Sequence, residues 1–363
     1  MRVGIVGGGQ LGRMLALAAH PLGIAVTTLD PAETSPAAQV APAIVGGYGD
    51  LGSLERLARA SDVATYEFEN VPVEAASFLA DRVPVRPGPE ALAAAQDRLA
   101  EKTLFEAVGL PVPPFAAVHD LESLRAAIDD VGLPAVLKTR RLGYDGKGQA
   151  VLRDALRADD AWRAVGEQPS ILERFVPFRR ELSVVAARGV DGAVAAYPLV
   201  ENEHRDGILR VSRAPADVDE ATRAAAEGHA RAVLERLGYV GVLAIELFDV
   251  DGGLLGNEMA PRVHNSGHWT TEGAVTSQFE QHLRAVCGLP LGDASPRGSS
   301  GMVNLIGAAP SREDVLAVPG AHLHLYGKQP RPGRKIGHVT VVAQDHARRE
   351  NALERLLPSI REV

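Results

Sequence analysis

Two glutamates at matched distances from a glycine turn are the first residues in this chain whose spacing could do chemistry. The stretch VLAIELFDVDGGLLGNEMAPR (242–262) reads as two strands joined at Asp251-Gly252-Gly253, a three-residue hairpin loop. Pairing Val250 with Leu254 across that loop sets Glu246 opposite Glu258. Like charges facing each other across a ladder are destabilising. They become sensible when a divalent cation sits between them, since carboxylate and phosphate oxygens are what magnesium takes. A register one residue away makes the pair diagonal, still within reach of one ion. The alternative is two solvated glutamates on an open face, against which Ile245, Leu247 and Leu255 ask for a covered sheet.

A second segment, AVLKTRRLGYDGKGQAVL (135–152), ends a strand near Lys138 and continues into a loop with Gly143, Gly146 and Gly148. Glycines let a backbone approach a polyphosphate closely, and Lys138 and Lys147 would place point charges against its oxygens. The loop leads into a strand, so it is not the phosphate loop that opens a helix. By itself it reads equally as a hairpin turn with a solvated lysine. ILERFVPFRRELSV (171–184) adds Glu173 and Glu181 at strand ends, where a connecting segment can pair with a nucleobase and a carboxylate can accept from ribose hydroxyls.

Directly after Glu258 comes MAPRVHNSGHWT (259–270), dense in polar donors. His264 and His268 have the spacing of a zinc helix, but no Glu follows the first His as that motif requires. Arg262, His264, Asn265 and Ser266 suit an anion better. YGKQPRPGRKIGH (326–338) gathers Lys328, Arg331, Arg334 and Lys335 in an otherwise acidic chain. Only five of its 38 basic residues are Lys, and two of the five fall here, which favours a phosphate site over a solvated turn.

The elements that must position these groups begin with a decoy. Gly7, Gly9 and Gly12 spell G-x-G-x-x-G between an apolar run and a helical pattern, and Asp30 ends the next strand. Taken alone, that is a dinucleotide fingerprint. RVGIVG, IAVTTLD, AIVGGY, VATYEFE and VPVRPG read as five short strands alternating with helices, hence a parallel sheet. Prolines 87 and 89 open a helix that exits through prolines 111, 113 and 114. Hairpins dominate from 181 to 260, interrupted by an Ala-rich helix around 217–237, and short strands return from about 295.

Bulk properties narrow the class. A net charge of −8 leaves no nucleic-acid footprint. The single cysteine, Cys287, excludes an intramolecular disulfide. With no signal-type leader and no apolar run of roughly 18 residues, the chain reads as a soluble cytoplasmic protein, without membrane contact.

In chain order, GGGQLGRML, TYEFENV, AQDRLAEK, KTRRLGYDGKGQ, ENEHRDGILRVSRAPA, AIELF, GNEMAPRVHNSGHWT and GRKIGH resemble the ATP-grasp superfamily. Within it the match is closest to the branch that carboxylates aminoimidazole ribonucleotide. The resemblance implies an α/β chain: a Rossmann-like N-terminal parallel sheet over 1–95 and central ATP-grasp α+β domains over 96–294, with a lid at 141–149. A small β-rich C-terminal domain over 295–363 would complete the ribonucleotide site.

The implied reaction consumes ATP, bicarbonate and aminoimidazole ribonucleotide and passes through carboxyphosphate. Mg2+ would be held at Glu246 and Glu258, with Mn2+ able to stand in. The nucleotide would meet Arg98, Lys138, the lid Gly143, Tyr144, Asp145, Gly146, Lys147, Gly148 and Gln149, then Glu173, Arg174, Phe175, Val176, Glu181, His204, Asn257 and Glu258. Arg262, His264, Asn265, Ser266 and Lys138 would act on the reacting groups. Gly9, Gln10, Leu11, Glu67, Tyr144 and Asp145, with Lys328, Arg334 and Lys335, would hold the ribonucleotide. On this reading the glycine turn binds no dinucleotide and the spacing of Asp30 is incidental. Leu142 departs from the pattern, standing where the family commonly has glycine. A homodimer is also implied. Rival readings are another ATP-grasp carboxylase or ligase, such as a formate-dependent glycinamide ribonucleotide transformylase, and a nucleotide-binding regulator without turnover.

Overall fold

The computed structural model describes residues 1–143 and 148–360. Four short strands open the chain: β1 (Arg2–Val6), β2 (Ala25–Asp30), β3 (Ala43–Val45) and β4 (Val63–Tyr66). They pair in parallel in the order β3-β2-β1-β4. Every residue of β4 is buried, as a parallel strand covered on both faces requires. The run VPVRPG, expected as a fifth strand, makes only a single bridge from Val85 to Ala64. Pro84 and Pro87 flank it, and proline cannot donate to a ladder.

The glycine turn between β1 and the helix Gln10–Ala19 is held from two sides. Asp30 accepts from the Gly8 amide and the Tyr48 hydroxyl, both at 2.9 Å. Glu67 accepts from the amides of Gly9 (2.5 Å) and Gly12 (2.7 Å). Free amides at a helix N-terminus can bind a pyrophosphate. Here a carboxylate of the chain already satisfies them, so the dinucleotide pattern is occupied from within. Asp30 is therefore not incidental: it pins the turn.

The helix expected after Pro87 is two helices, Pro89–Gln96 and Arg98–Ala107, parted at Asp97. Asp97 leaves helical geometry and accepts from the Leu99 amide (3.0 Å), capping the second helix. The same carboxylate takes Arg140 in two hydrogen bonds of 3.0 and 2.7 Å. That pair ties the helix to the end of a strand in the next layer.

This layer is a small antiparallel sheet of β5 (Phe115–Val118), β6 (Ala135–Thr139), β7 (Gln149–Leu152) and β8 (Ser170–Arg174), in the order β5-β8-β6-β7. Leu124, Ile128, Trp162 and Leu172 lie in its core. The helix Leu121–Val131 that covers it starts with a reciprocal Asp120–Ser123 capping box.

The large sheet comprises β9 (Arg180–Arg188), β10 (Val194–Ala196), β11 (Val200–Arg205), β12 (Ile208–Ala214), β13 (Gly241–Val250), β14 (Gly253–Ala260), β15 (Ser299–Ile306), β16 (Ala321–Leu325) and β17 (Lys335–Ala343). Its order is β14-β13-β9-β11-β12-β15-β17-β16, with β10 on the far half of β9. The Ala-rich helix Glu220–Arg236 buries Ala226, Ala230, Val233 and Leu234. Antiparallel pairing of β12 with β15, Val211 opposite Val303, carries the sheet without a break into the C-terminal strands.

Candidate active site

A cleft of about 570 Å³ lies where the three layers meet. It is lined by the glycine turn, by Arg98, by Lys138 and Glu173 of the small sheet, and by the hairpin of β13 and β14.

Glu246 does stand opposite Glu258, but by a different route from the one expected. The loop is two residues, with Val250 paired to Gly253. That register alone would set Glu246 against Asn257. A bulge after Leu247–Gly256 inserts Asn257 and restores the Glu246–Glu258 pair. Two neighbours on the helix Arg98–Ala107 clamp the bulge. Lys102 donates to the carbonyls of Gly256 (3.0 Å) and Asn257 (2.6 Å), and Glu101 accepts from the Met259 amide (2.6 Å). Gly256 must be glycine, because a Cβ there would lie 2.9 Å from Leu110 and Phe105 side-chain carbons.

The facing carboxylates differ in character. Its seat in the cleft, then the charge of Glu258, push Glu246 up to about 7. Desolvation would raise Glu258 as well, but Arg98, donating to it at 2.9 Å, brings it below the ordinary range. Asn257 Oδ1, in the bulge next to Glu258, is buried without a partner. Two carboxylates and an unpaired oxygen suit a hard divalent cation. Among the described residues no group of three or more His, Cys, Asp or Glu could hold an ion alone. Phosphate oxygens and water would complete the shell, as magnesium usually requires.

Across the cleft, Glu173 receives Lys138 (2.9 Å) and the fully buried Lys102 (3.3 Å). Burial opposes its charge, yet the two ammonium groups hold it down to about 2. Both ammonium groups meet one oxygen, Oε2, while Oε1 is buried without a partner. Glu181 lines the cleft and bonds His204 Nδ1 at 2.7 Å. Arg174, Phe175 and Val176 line the same end, as do Gly143 and Gln149. Phe178 and Phe248 stack there with centroids 4.8 Å apart, a flat apolar surface that the motifs of the sequence do not signal.

Beyond Glu258, Arg262 bonds Glu69 at 2.5 Å. Burial pushes His264 down to about 3, aided by Arg262 and Lys335, so the ring is neutral. Both polar atoms of the Asn265 side chain are buried without partners. Ser266, expected beside them, is fully buried behind His264 and does not line the cleft.

At the opposite end, Gly9, Gln10, Leu11, Glu67 and Lys335 line the cleft. Lys328 and Arg334 are not among its lining residues, though Lys328 donates to the Gln10 side-chain oxygen. Arg334 donates to the Gln329 carbonyl (3.2 Å). Gly148 stands behind the rim, its carbonyl accepting from Thr139 (2.8 Å). Tyr144, Asp145, Gly146 and Lys147 lie outside the described residues.

Three family models cover this chain: a ribonucleotide synthetase preATP-grasp domain over 1–96, an ATP-grasp domain over 103–279, and a phosphoribosylaminoimidazole carboxylase C-terminal domain over 300–352. The N5-carboxyaminoimidazole ribonucleotide synthase of Pseudomonas aeruginosa is 53% identical over 347 residues, 96% of each chain. The chain belongs to the N5-carboxyaminoimidazole ribonucleotide synthases. The synthetase of Thermus thermophilus superposes with a TM-score of 0.96 at 55% identity, over 99% of both chains. An Aspergillus clavatus N5-carboxyaminoimidazole synthase, solved with ADP and aminoimidazole ribonucleotide, reaches 0.93 at 32% identity over 99% of this chain and 98% of that one. As a synthase of this family the chain is an ATP-grasp ligase of purine biosynthesis with ATP as co-substrate. Among the described residues no helix is long and apolar enough to cross a membrane.

Within this synthase, the groups that sequence reasoning missed are those that hold others in place: Asp97, Glu101 and Lys102. AQDRLAEK contains all three, and a Lys beside a Glu in a chain poor in Lys was the available signal.

Proposed function

We propose that the cleft carries out ATP-driven carboxylation of the exocyclic amine of aminoimidazole ribonucleotide by bicarbonate, with residue roles as follows. Adenosine lies against Phe175, Val176 and the Phe178–Phe248 stack, its ribose on Glu181 and His204. Arg98 and Lys138 neutralise the phosphates, where phosphoryl transfer depends on charge compensation and alignment. Magnesium, held by Glu246, Glu258 and the Asn257 side-chain oxygen, would add Lewis-acid neutralisation of the transferred group.

A bicarbonate oxygen attacks the γ-phosphorus and ADP leaves, giving carboxyphosphate. The ribonucleotide amine then attacks the carboxyl carbon, phosphate departs and the amine loses a proton. Arg262, His264 and Asn265 surround that carbon, while Lys335 and Lys328 take the ribonucleotide phosphate beside Gln10. The carrying observation is order along one hairpin: Glu246 on β13 faces Glu258 on β14, and Arg262, His264 and Asn265 follow directly where β14 ends, all of them lining the cleft.

ADP release in bicarbonate buffer with magnesium, with and without aminoimidazole ribonucleotide, tests the reading. Strong stimulation by the ribonucleotide supports it; ATP binding without stimulation removes the substrate assignment. Cytoplasmic residence and a homodimer belong to the same proposal, the second tested by sedimentation.

A further inference from the structure

Behind the cleft, buried polar side chains run in single file toward His264. Ser212 Oγ donates to Asn202 Oδ1 (2.8 Å), Asn202 Nδ2 to Ser183 Oγ (3.0 Å), and Ser183 Oγ to Ser266 Oγ (2.8 Å). Ser266 Oγ lies 2.8 Å from His264 Nδ1. The three serines are fully shielded from solvent and Asn202 nearly so. They come from β12, β11, β9 and the turn Asn265–Gly267, so the file crosses three adjacent strands.

Its direction is fixed at the histidine end. The Ser266 backbone amide also points at Nδ1, 3.3 Å away. An amide N–H can only donate, so Nδ1 presents a lone pair. Ser266 then gives its hydroxyl proton to Nδ1 and must accept from Ser183. Ser183 in turn accepts from Asn202, and Asn202 Oδ1 from Ser212. Every link runs the same way, and in such a file each bond polarises the next. With Nδ1 an acceptor, the ring proton can sit only on Nε2.

We propose that Ser266, Ser183, Asn202 and Ser212 are positioning residues that hold His264 as the Nε2–H tautomer, making that nitrogen a hydrogen-bond donor in the cleft. Nε2 lies 3.5 Å from Glu246 Oε1. The opposite tautomer would set a lone pair against that carboxylate and against any oxyanion bound beside Arg262. The identity of that oxyanion, bicarbonate or carboxyphosphate, rests on the function proposed above; the tautomer does not.

The test is nitrogen NMR of the full chain labelled with 15N-histidine, the His264 signals assigned by their loss in His264→Gln. Without substrate, Nδ1 is expected at the shift of an unprotonated ring nitrogen and Nε2 at that of a protonated one. Asn202→Asp keeps the shape but accepts from both neighbours, so it reverses the link to Ser183. The protonated signal is then expected to move partly to Nδ1. Aminoimidazole-ribonucleotide-dependent kcat should fall about 10- to 100-fold, with the KM for ATP within twofold. If that variant does not fold, Ser183→Ala, which removes the donor to Ser266, is read in the same way. A wild-type ring protonated on Nδ1 overturns the proposal. So does a folded variant whose His264 shifts match the wild type. Wild-type turnover without stimulation by the ribonucleotide would remove the substrate reading and leave the tautomer result intact.

Discussion

Lys102 places its ammonium 2.6 Å from the carbonyl oxygen of Asn257, from a side chain with no solvent exposure. The contact fixes the one irregular residue of the hairpin and so the position of Glu258 beside it. Lys102→Met keeps the bulk but leaves two carbonyls and part of the Glu173 charge uncompensated. Breaking a buried pair in this way costs about 3 kcal/mol. Urea unfolding should show that loss, and Lys102→Arg, whose longer side chain must fit the same slot, should recover only part of it.

Glu258→Gln and Glu246→Gln separate catalysis from stability. Either should lower kcat/KM roughly 100-fold, the usual scale for losing one group that meets transition-state charge. Glu246→Gln removes a charge facing Glu258, so thermal melting of the free protein should hold or rise. A drop of several degrees together with the lost activity would show that the pair is structural.

Lys328 supplies a pH dependence. Burial, then the nearby Arg334, lower its ammonium to about 8, against an ordinary lysine value of 10.5. Below pH 8 it is charged and can grip a phosphate; above, it is progressively neutral. The KM for aminoimidazole ribonucleotide should therefore climb as pH passes 8, and Lys328→Arg should flatten the climb because guanidinium stays charged. For stability the sign is opposite. Between about pH 8 and 10.5 the unfolded chain binds the extra proton, so stability from this group rises with pH.

Gly9→Ala would put a Cβ 2.4 Å from the Glu67 carboxylate oxygen. The turn must open, and Glu67 must release at least one amide. Isothermal titration should show ribonucleotide affinity falling tenfold or more while ATP affinity, set at the other end of the cleft, stays within twofold.

Leu142 holds a left-handed backbone, φ 62°, with its side chain 72% exposed. That conformation costs a non-glycine residue about 1–2 kcal/mol, and glycine returns roughly 0.5–1 kcal/mol as freedom of the unfolded chain. Leu142→Gly should leave stability equal or up to about 1.5 kcal/mol higher. A loss in urea unfolding would mean that the leucine side chain makes contacts worth more than the strain.

What could be read from the sequence was mostly local chemistry. The carboxylates of the hairpin, Lys138, Arg262 and the glycine turn each sit beside their motif neighbours, so spacing alone located them. The Glu246–Glu258 pairing came out right through two offsetting differences, a shorter loop and a bulge. Strand alternation shows neither, since each shifts the register by one. Asp30 and Glu67 on the glycine turn, Lys102 on the bulge and Ser183 behind Ser266 act across 22 to 154 residues of chain. Such partners become visible only when the fold closes. VPVRPG failed as a strand for a reason already written in it, its prolines.

The unbroken pairing of β12 with β15 has a mechanical meaning. Glu246 and Lys335 stand on strands of one hydrogen-bonded plate, with no linker interposed along the ladder from β13 through β9, β11, β12 and β15 to β17. The gap between the facing carboxylates and the basic end is thus a built-in length, set by strand spacing like the distance between pegs on a board. Under the proposed function a ribonucleotide would be gauged against that length, while the small sheet stands on a ladder of its own.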